Sequence, residues 1–253
     1  MPARKIILLF DWQTTSTREI SRLIFLQCTD DMTYRPNIKE IEKSYVNIRN
    51  HWKEIDDQLD KEKIGRKDTP FDQGLMDNLL CGWEYIDFFI RKKDYALLSK
   101  KGGPDMLEIN HRVHYGLDTA LRSEYRKAIS ATTEKFTRQV KPLRSYYSKK
   151  TRNETSATKI AAEIFVSIVG QPQVFIEGNH RSGSIISSWI NLINNQPPFV
   201  LTVDNAISFF KPAQEIKQFD KTSRWRSLTQ LPKYKKSFRE FWKNHCSEQF
   251  AVK

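Results

Sequence analysis

The segment Gln171-Pro172-Gln173-Val174-Phe175-Ile176-Glu177-Gly178-Asn179-His180-Arg181-Ser182-Gly183-Ser184 holds the residue types that could do chemistry in this chain, and that chemistry is the binding of phosphate. A loop that runs into a helix presents backbone N–H groups with no partner inside the helix, and the helix dipole adds a favourable field for an anion. Gly178 lets the backbone approach a phosphate. Asn179 tolerates the left-handed backbone of a tight turn and carries an amide donor, while Arg181 offers a planar fork of donors matched to phosphate oxygens. His180, Ser182 and Gly183 complete the expected phosphate-binding set. Glu177 is a hard oxygen ligand for a Mg²⁺ bridging the phosphates, an ion that needs only one or two protein carboxylates. The competing use of the same residues is a plain connection between helices, in which Gly178 and Asn179 serve the turn and Phe175 fills the core.

Two helices must position this segment. Before it, Ser156 is a plausible N-cap for a helix with Ile160, Ile164 and Ile168 at four-residue spacing, ending near Gly170. After it, a helix is expected to start close to Arg181 and run through Ile185, Ile186, Trp189, Ile190 and Ile193 to about Asn195, stopped by Pro197-Pro198. Further upstream, Ile38, Ile41, Tyr45, Ile48 and Trp52 follow the helical period, with breaks near Arg35-Pro36 and around Lys67 to Pro70. Gly102-Gly103-Pro104 is the strongest turn signal and precedes a new apolar pattern at Met106, Leu107, Ile109 and Val113. The expected architecture is all-α, with a helical amino-terminal lobe over 1–103, a core over 104–215 and a helical extension over 216–253.

The loop resembles the signature of the Fic family, HxFx(D/E)GNGRxxR, set between two buried helices. Phe175, Glu177, Gly178, Asn179 and Arg181 match it in order. The flanks KIAAEIFVSIV and SSWINLINNQPPFVL look like the helices entering and leaving that motif, and Leu107 to Gly116, with Glu124-Tyr125-Arg126, resembles the first core helix and the approach to the target-docking flap. The likeness spans about residues 105–215. It implies a Fic-like helical core with a short flap hairpin, ATP or another nucleotide with Mg²⁺ as ligands, and transfer of AMP or a related phosphate-containing group to a hydroxyl of a target protein. Three positions depart from the pattern. Gln173 stands where the family keeps its catalytic histidine, and a neutral amide is no general base near pH 7. His180 replaces the second glycine and Ser184 the last arginine. His180 is the candidate substitute base, since an imidazole titrates near neutrality. The alternative is a Fic-fold binding or regulatory module without transfer activity. The restraining pattern (S/T)xxxE(G/N) of the family has no complete copy, Thr15 to Glu19 being followed by Ile20.

The chain has 253 residues and a formal net charge of +12, which attracts nucleotides, nucleic acid or anionic surfaces without choosing among them. Basic runs such as Arg91-Lys92-Lys93, Lys149-Lys150 and Lys233 to Lys236 read first as solvated faces. Arg224, Trp225, Arg226, Lys233 to Lys236 and Trp242 interleave bases with aromatics, which suits nucleic acid; an amphipathic helix covering the core is the favoured account. His111 and His114 lie three apart with no further ligands at useful spacing, so packing or surface roles are expected. Cys28, Cys81 and Cys246 suggest neither a disulfide framework nor a zinc site, and Ile6 to Phe10 is too short for a signal core or a membrane span. A cytoplasmic protein with no membrane span is expected.

Overall fold

The helix that leads into the loop lies deep in the interior. In the computed structural model, which describes residues 33–64, 70–153, 155–223 and 228–253, α7 (Ala157–Val169) buries nine of its 13 residues. The reason lies in its sequence: apolar residues occur on every side, and such a helix belongs inside a protein. Its only buried ionic group, Glu163, accepts from the Tyr146 hydroxyl and pairs with Lys235 at 3.0 Å and Arg239 at 3.7 Å.

Nine other helices surround or extend this one among the described residues: α1 (Ile38–Asn50), α2 (Trp52–Lys61), α3 (Gln73–Arg91), α4 (Gly103–Tyr115), α5 (Thr119–Glu124), α6 (Arg126–Arg152), α8 (Asn179–Leu192), α9 (Ala206–Gln218) and α10 (Leu231–His245). Their ends follow local chemistry. Asp72 caps α3 by accepting from the Leu75 N–H at 2.8 Å, Asp118 caps α5, and α4 starts at the Gly103-Pro104 turn. The all-α class is observed. Among the described residues the only strands are β1 (Arg35–Pro36) and β2 (Ala251–Val252), a two-residue antiparallel pairing with Arg35 opposite Val252. Residues from Thr33 onward make one compact unit with a continuous core.

α8 packs most extensively on α7, and α6 and α10 flank α7 as well. Gly183 makes the α7–α8 approach possible: a Cβ there would meet Phe165 and Ile168 of α7 at 3.3 and 3.4 Å. On the other side of α8, Gly82 of α3 leaves room where Ile185 and Val113 converge. α6 presents Thr132, Phe136, Val140 and Leu143 to the core and α10 presents Phe238 and Trp242, so both are amphipathic covers. Trp242 is therefore fully buried and cannot stack on a base, which corrects one part of the nucleic-acid reading of the carboxy-terminal region. Arg224, Trp225, Arg226, Thr15 to Glu19, Ile6 to Phe10, Cys28 and Lys67 lie outside the described residues.

The flap hairpin implied by the Fic resemblance is not found among the described residues. Where its approach was expected, Thr119–Glu124 is helix α5 and runs through Tyr125 directly into α6. The Asp118 cap and the helix-favouring Ala-Leu-Arg that follow it account for this. No described helix is long and apolar enough to cross a membrane.

Candidate functional site

The loop from Gly170 to Gly178 is held at both sides by backbone pairing. Gln171 donates its N–H to the Phe219 carbonyl at 2.8 Å and accepts from the Lys221 N–H at 2.7 Å; Val174 returns to the Ile168 carbonyl. Phe175 is fully buried and lies parallel to Phe136 of α6, with ring centroids 5.6 Å apart. Helix α8 then begins at Asn179, two residues earlier than the periodicity suggests, because Gly178 takes the left-handed turn at φ 71° and the Asn179 side chain closes the loop. Its Oδ1 accepts from the Phe175 N–H at 2.9 Å and its Nδ2 donates to the Phe175 carbonyl at 3.1 Å. The helix ends at Leu192 rather than Asn195, which itself has positive φ in the turn that follows.

These contacts revise the roles expected of individual residues. The Asn179 side chain is buried and pairs with both the N–H and the carbonyl of Phe175, and the left-handed position is Gly178, so the side chain serves to close the loop. The space beside Gly178 is taken by protein: a Cβ there would lie 2.6 Å from His114 Nε2 and 3.0 Å from Asn110 Nδ2. Ser182 accepts from Asn110 Nδ2 at 2.9 Å, the same amide that holds the Glu177 carbonyl, and Gly183 faces α7; neither Ser182 nor Gly183 lines the cavity described below. Arg181 donates from Nη1 to the Val113 carbonyl of α4 at 3.0 Å. Burial lowers the guanidinium's basicity, opposed by Glu177 and Tyr115.

His180 turns into the interior. The residue keeps some accessible surface, yet its Nε2 is fully buried and has no hydrogen-bond partner among the described residues. The ring lies between Phe165, nearly parallel at 6.2 Å, and Phe209. Burial above all, then Lys217, pushes its pKa down to about 4, against the Ala213 backbone, which acts the other way. An imidazole so weakly basic and so enclosed is poorly matched to general-base work near pH 7, which corrects its expected role as substitute base.

One cavity of about 440 Å³ adjoins the loop. Gln173, Glu177, Gly178, Asn179, His180, Arg181 and Ser184 reach it from the loop and α8, and Gln214 and Lys217 from α9. The opposite wall, from α1 to α3, is aromatic and apolar, with Tyr45, Trp52, Phe71 and Trp83. Trp83 donates to the Tyr45 hydroxyl at 2.8 Å, which ties α3 to α1 in that wall. The volume falls in the range of small-molecule sites. Among the described residues its charged lining is Arg181, Lys217 and Glu177. Glu177 is exposed and is the sole carboxylate of that lining, and no group of three potential metal ligands occurs among the described residues. This donor set fits a Mg²⁺ carried on ligand phosphates and does not fit a metal held by protein alone.

Sequence reasoning missed Asn110, His114 and Lys217 as neighbours of the loop. Asn110 and His114 are four apart on α4 and so share one helix face, a visible signal, but nothing local tied that face to Gly178. Lys217 has no sequence signal at all. Comparisons with protein-family models, curated proteins and solved structures gave no match.

Replacing Gly178 by alanine is expected to destabilise the protein by about 1–3 kcal/mol, from the left-handed φ and the crowding against His114. Thermal unfolding measures it. Adding His114→Ala should recover the crowding part and leave the backbone part; a double variant no better than Gly178→Ala would show that His114 is not the obstruction.

Proposed function

We propose that this cavity binds a nucleotide, or another diphosphate ligand with a flat apolar body, and that the chain is a Fic-like protein in which transfer of AMP to a target hydroxyl by the family's histidine route is lost. The observation that carries the reading is the placement of Arg181, Lys217 and the first turn of α8 on one wall of a 440 Å³ cavity whose other wall is aromatic. Guanidinium, ammonium and helix N–H groups attract phosphates, and Trp and Tyr faces suit a stacked ring. Mg²⁺, when bound with such a ligand, would neutralise phosphate charge beside Glu177. Loss of transfer rests on Gln173, which cannot take a proton, and on the enclosed, weakly basic His180.

Titration with ATP, CTP, GTP and UTP by calorimetry, with and without Mg²⁺, tests the reading. Lys217 is exposed, so Lys217→Gln should leave folding intact while weakening nucleotide binding several-fold. Arg181→Ala is expected to weaken it about 10- to 100-fold, the usual worth of a charge-assisted hydrogen bond. Because Arg181 also holds the Val113 carbonyl, its thermal stability must be recorded beside the affinity. No binding of any nucleotide, nor of inorganic pyrophosphate, would sink the proposal. Gln173→His asks the second half of the question: labelling of a protein target by this variant alone would mean that only the base is missing, and labelling by the unaltered chain would overturn the claimed loss.

A further inference from the structure

Positive charge is distributed very unevenly over this fold. α6 carries nine cations, from Arg126 to Arg152, against one acid, Glu134. α10 carries five, Lys233, Lys235, Lys236, Arg239 and Lys243, against Glu240. Nine and five cations less two carboxylates leave +12, which equals the formal net charge of the whole chain. Everything outside these two helices is therefore neutral in sum.

The two helices are neighbours, since both pack on α7 and both reach Glu163. At their junction the Tyr146 ring of α6 has Lys150 Nζ at 5.6 Å and Lys235 Nζ of α10 at 4.6 Å from its centroid. Among the described residues no cation of α6 has a carboxylate within salt-bridge distance; the ion pairs of the fold lie elsewhere. Lys135 is held below its ordinary range mainly by burial and in part by the neighbouring Arg138. A solvated face needs no such one-sided charge, and self-repulsion of this kind costs stability.

We propose that the α6–α10 face is a docking surface for double-helical nucleic acid, held through its phosphates without base readout. The chemistry favours this partner over an anionic membrane. Membrane-surface helices insert an apolar face, whereas the apolar stripe of α6 is buried in the core and none of the exposed large apolar side chains lies on α6 or α10. The exposed residues of α6 are instead mostly Arg, Lys, Ser and Thr, side chains that contact nucleic-acid phosphates, interspersed with Ala128, Ala131, Glu134 and Pro142. With 27 residues α6 is about 40 Å long, close to one turn of a duplex. The surface is separate from the cavity and its occupancy does not depend on nucleotide binding there.

Fluorescence anisotropy of the full chain with labelled duplex DNA and duplex RNA, between about 50 and 200 mM salt, tests this. Binding is expected at low salt, indifferent to sequence, with log K falling linearly against log salt. Arg138, Lys141 and Lys149 are all exposed, so Arg138→Glu/Lys141→Glu/Lys149→Glu should keep its melting temperature. It should bind at least tenfold more weakly, with a salt slope reduced by about three. Absence of duplex binding at the lowest salt, an unchanged affinity in the triple variant, or tighter binding to phosphatidylserine vesicles than to either duplex would each overturn the proposal.

Discussion

Phe165→Ala is expected to destabilise the protein by about 3–5 kcal/mol, lowering its melting temperature by roughly 10 °C for a chain of this size. Phe165 is fully buried on α7 and is the hub of the aromatic core. Its ring lies 4.4 Å from Phe238 at an interplanar angle of 6°, with Phe209 at 5.6 Å and Trp242 at 6.0 Å. Through these contacts it joins α7 to α9 and α10, and a Cβ-sized remnant would leave a void bounded by rigid rings that cannot collapse into it. Loss of Trp242 near-ultraviolet signal should accompany the drop. A change below about 1 kcal/mol would mean that the core repacks freely, and the hub assignment would fall. Because the same ring flanks His180, the damage should extend to the cavity wall.

The second large effect concerns acid. His180 has a folded pKa near 4 against an ordinary 6.5, so the unfolded chain binds its proton more readily than the native one. Stability from this group is fully present above pH 6.5 and is lost as pH falls from 6.5 towards 4. A depression of that size corresponds to about 3 kcal/mol. The charges facing the ring, Lys217 and Arg181, both oppose protonation. His180→Phe suits the aromatic surroundings and should flatten the decline measured by urea unfolding across that window. His111, also held low by burial, leaves a residual slope. Glu163, lowered in spite of its burial by Tyr146, Lys235 and Arg239, acts separately below the ordinary carboxylate range. An identical pH profile in His180→Phe would show that the imidazole is not buried as described.

Charge and cavity give the molecule two distinct faces. The cavity lies among α1 to α3, α8 and α9, whereas the basic surface is formed by α6 and α10 on the flanks of α7. Glu163 connects the latter pair, since its carboxylate accepts from Tyr146 of α6 and draws Lys235 and Arg239 of α10 inward. Two of the basic residues are thereby partly neutralised and Arg144 is turned inward, with Nε and Nη2 buried, whereas Arg138, Lys141, Lys149, Lys233, Lys236 and Lys243 are exposed.

Local pattern was enough for the two helices that flank the loop. The period of Ile160, Ile164 and Ile168, the Gly170 stop and the Pro197-Pro198 barrier each lie within or just beyond the helix they define, and α7 and α8 form nearly where they lead. The same holds for the amphipathic cover of α10, because Phe238 and Trp242 are four apart. Side-chain direction at the loop was a different matter. Gly178, Asn179 and Arg181 carry phosphate-binding potential in any sequence context, but whether that potential faces a ligand depends on what else approaches. Asn110 and His114 arrive from α4, 67 residues from the Glu177 carbonyl in the case of Asn110, and take the space by Gly178. His180 is drawn inward by Phe165 and Phe209, and Lys217 reaches the cavity from α9. Helix formation is decided by neighbours in the chain, through backbone hydrogen bonds and periodic burial. The direction of a side chain in the loop is decided by close packing among distant segments, where space already filled by one residue is denied to another.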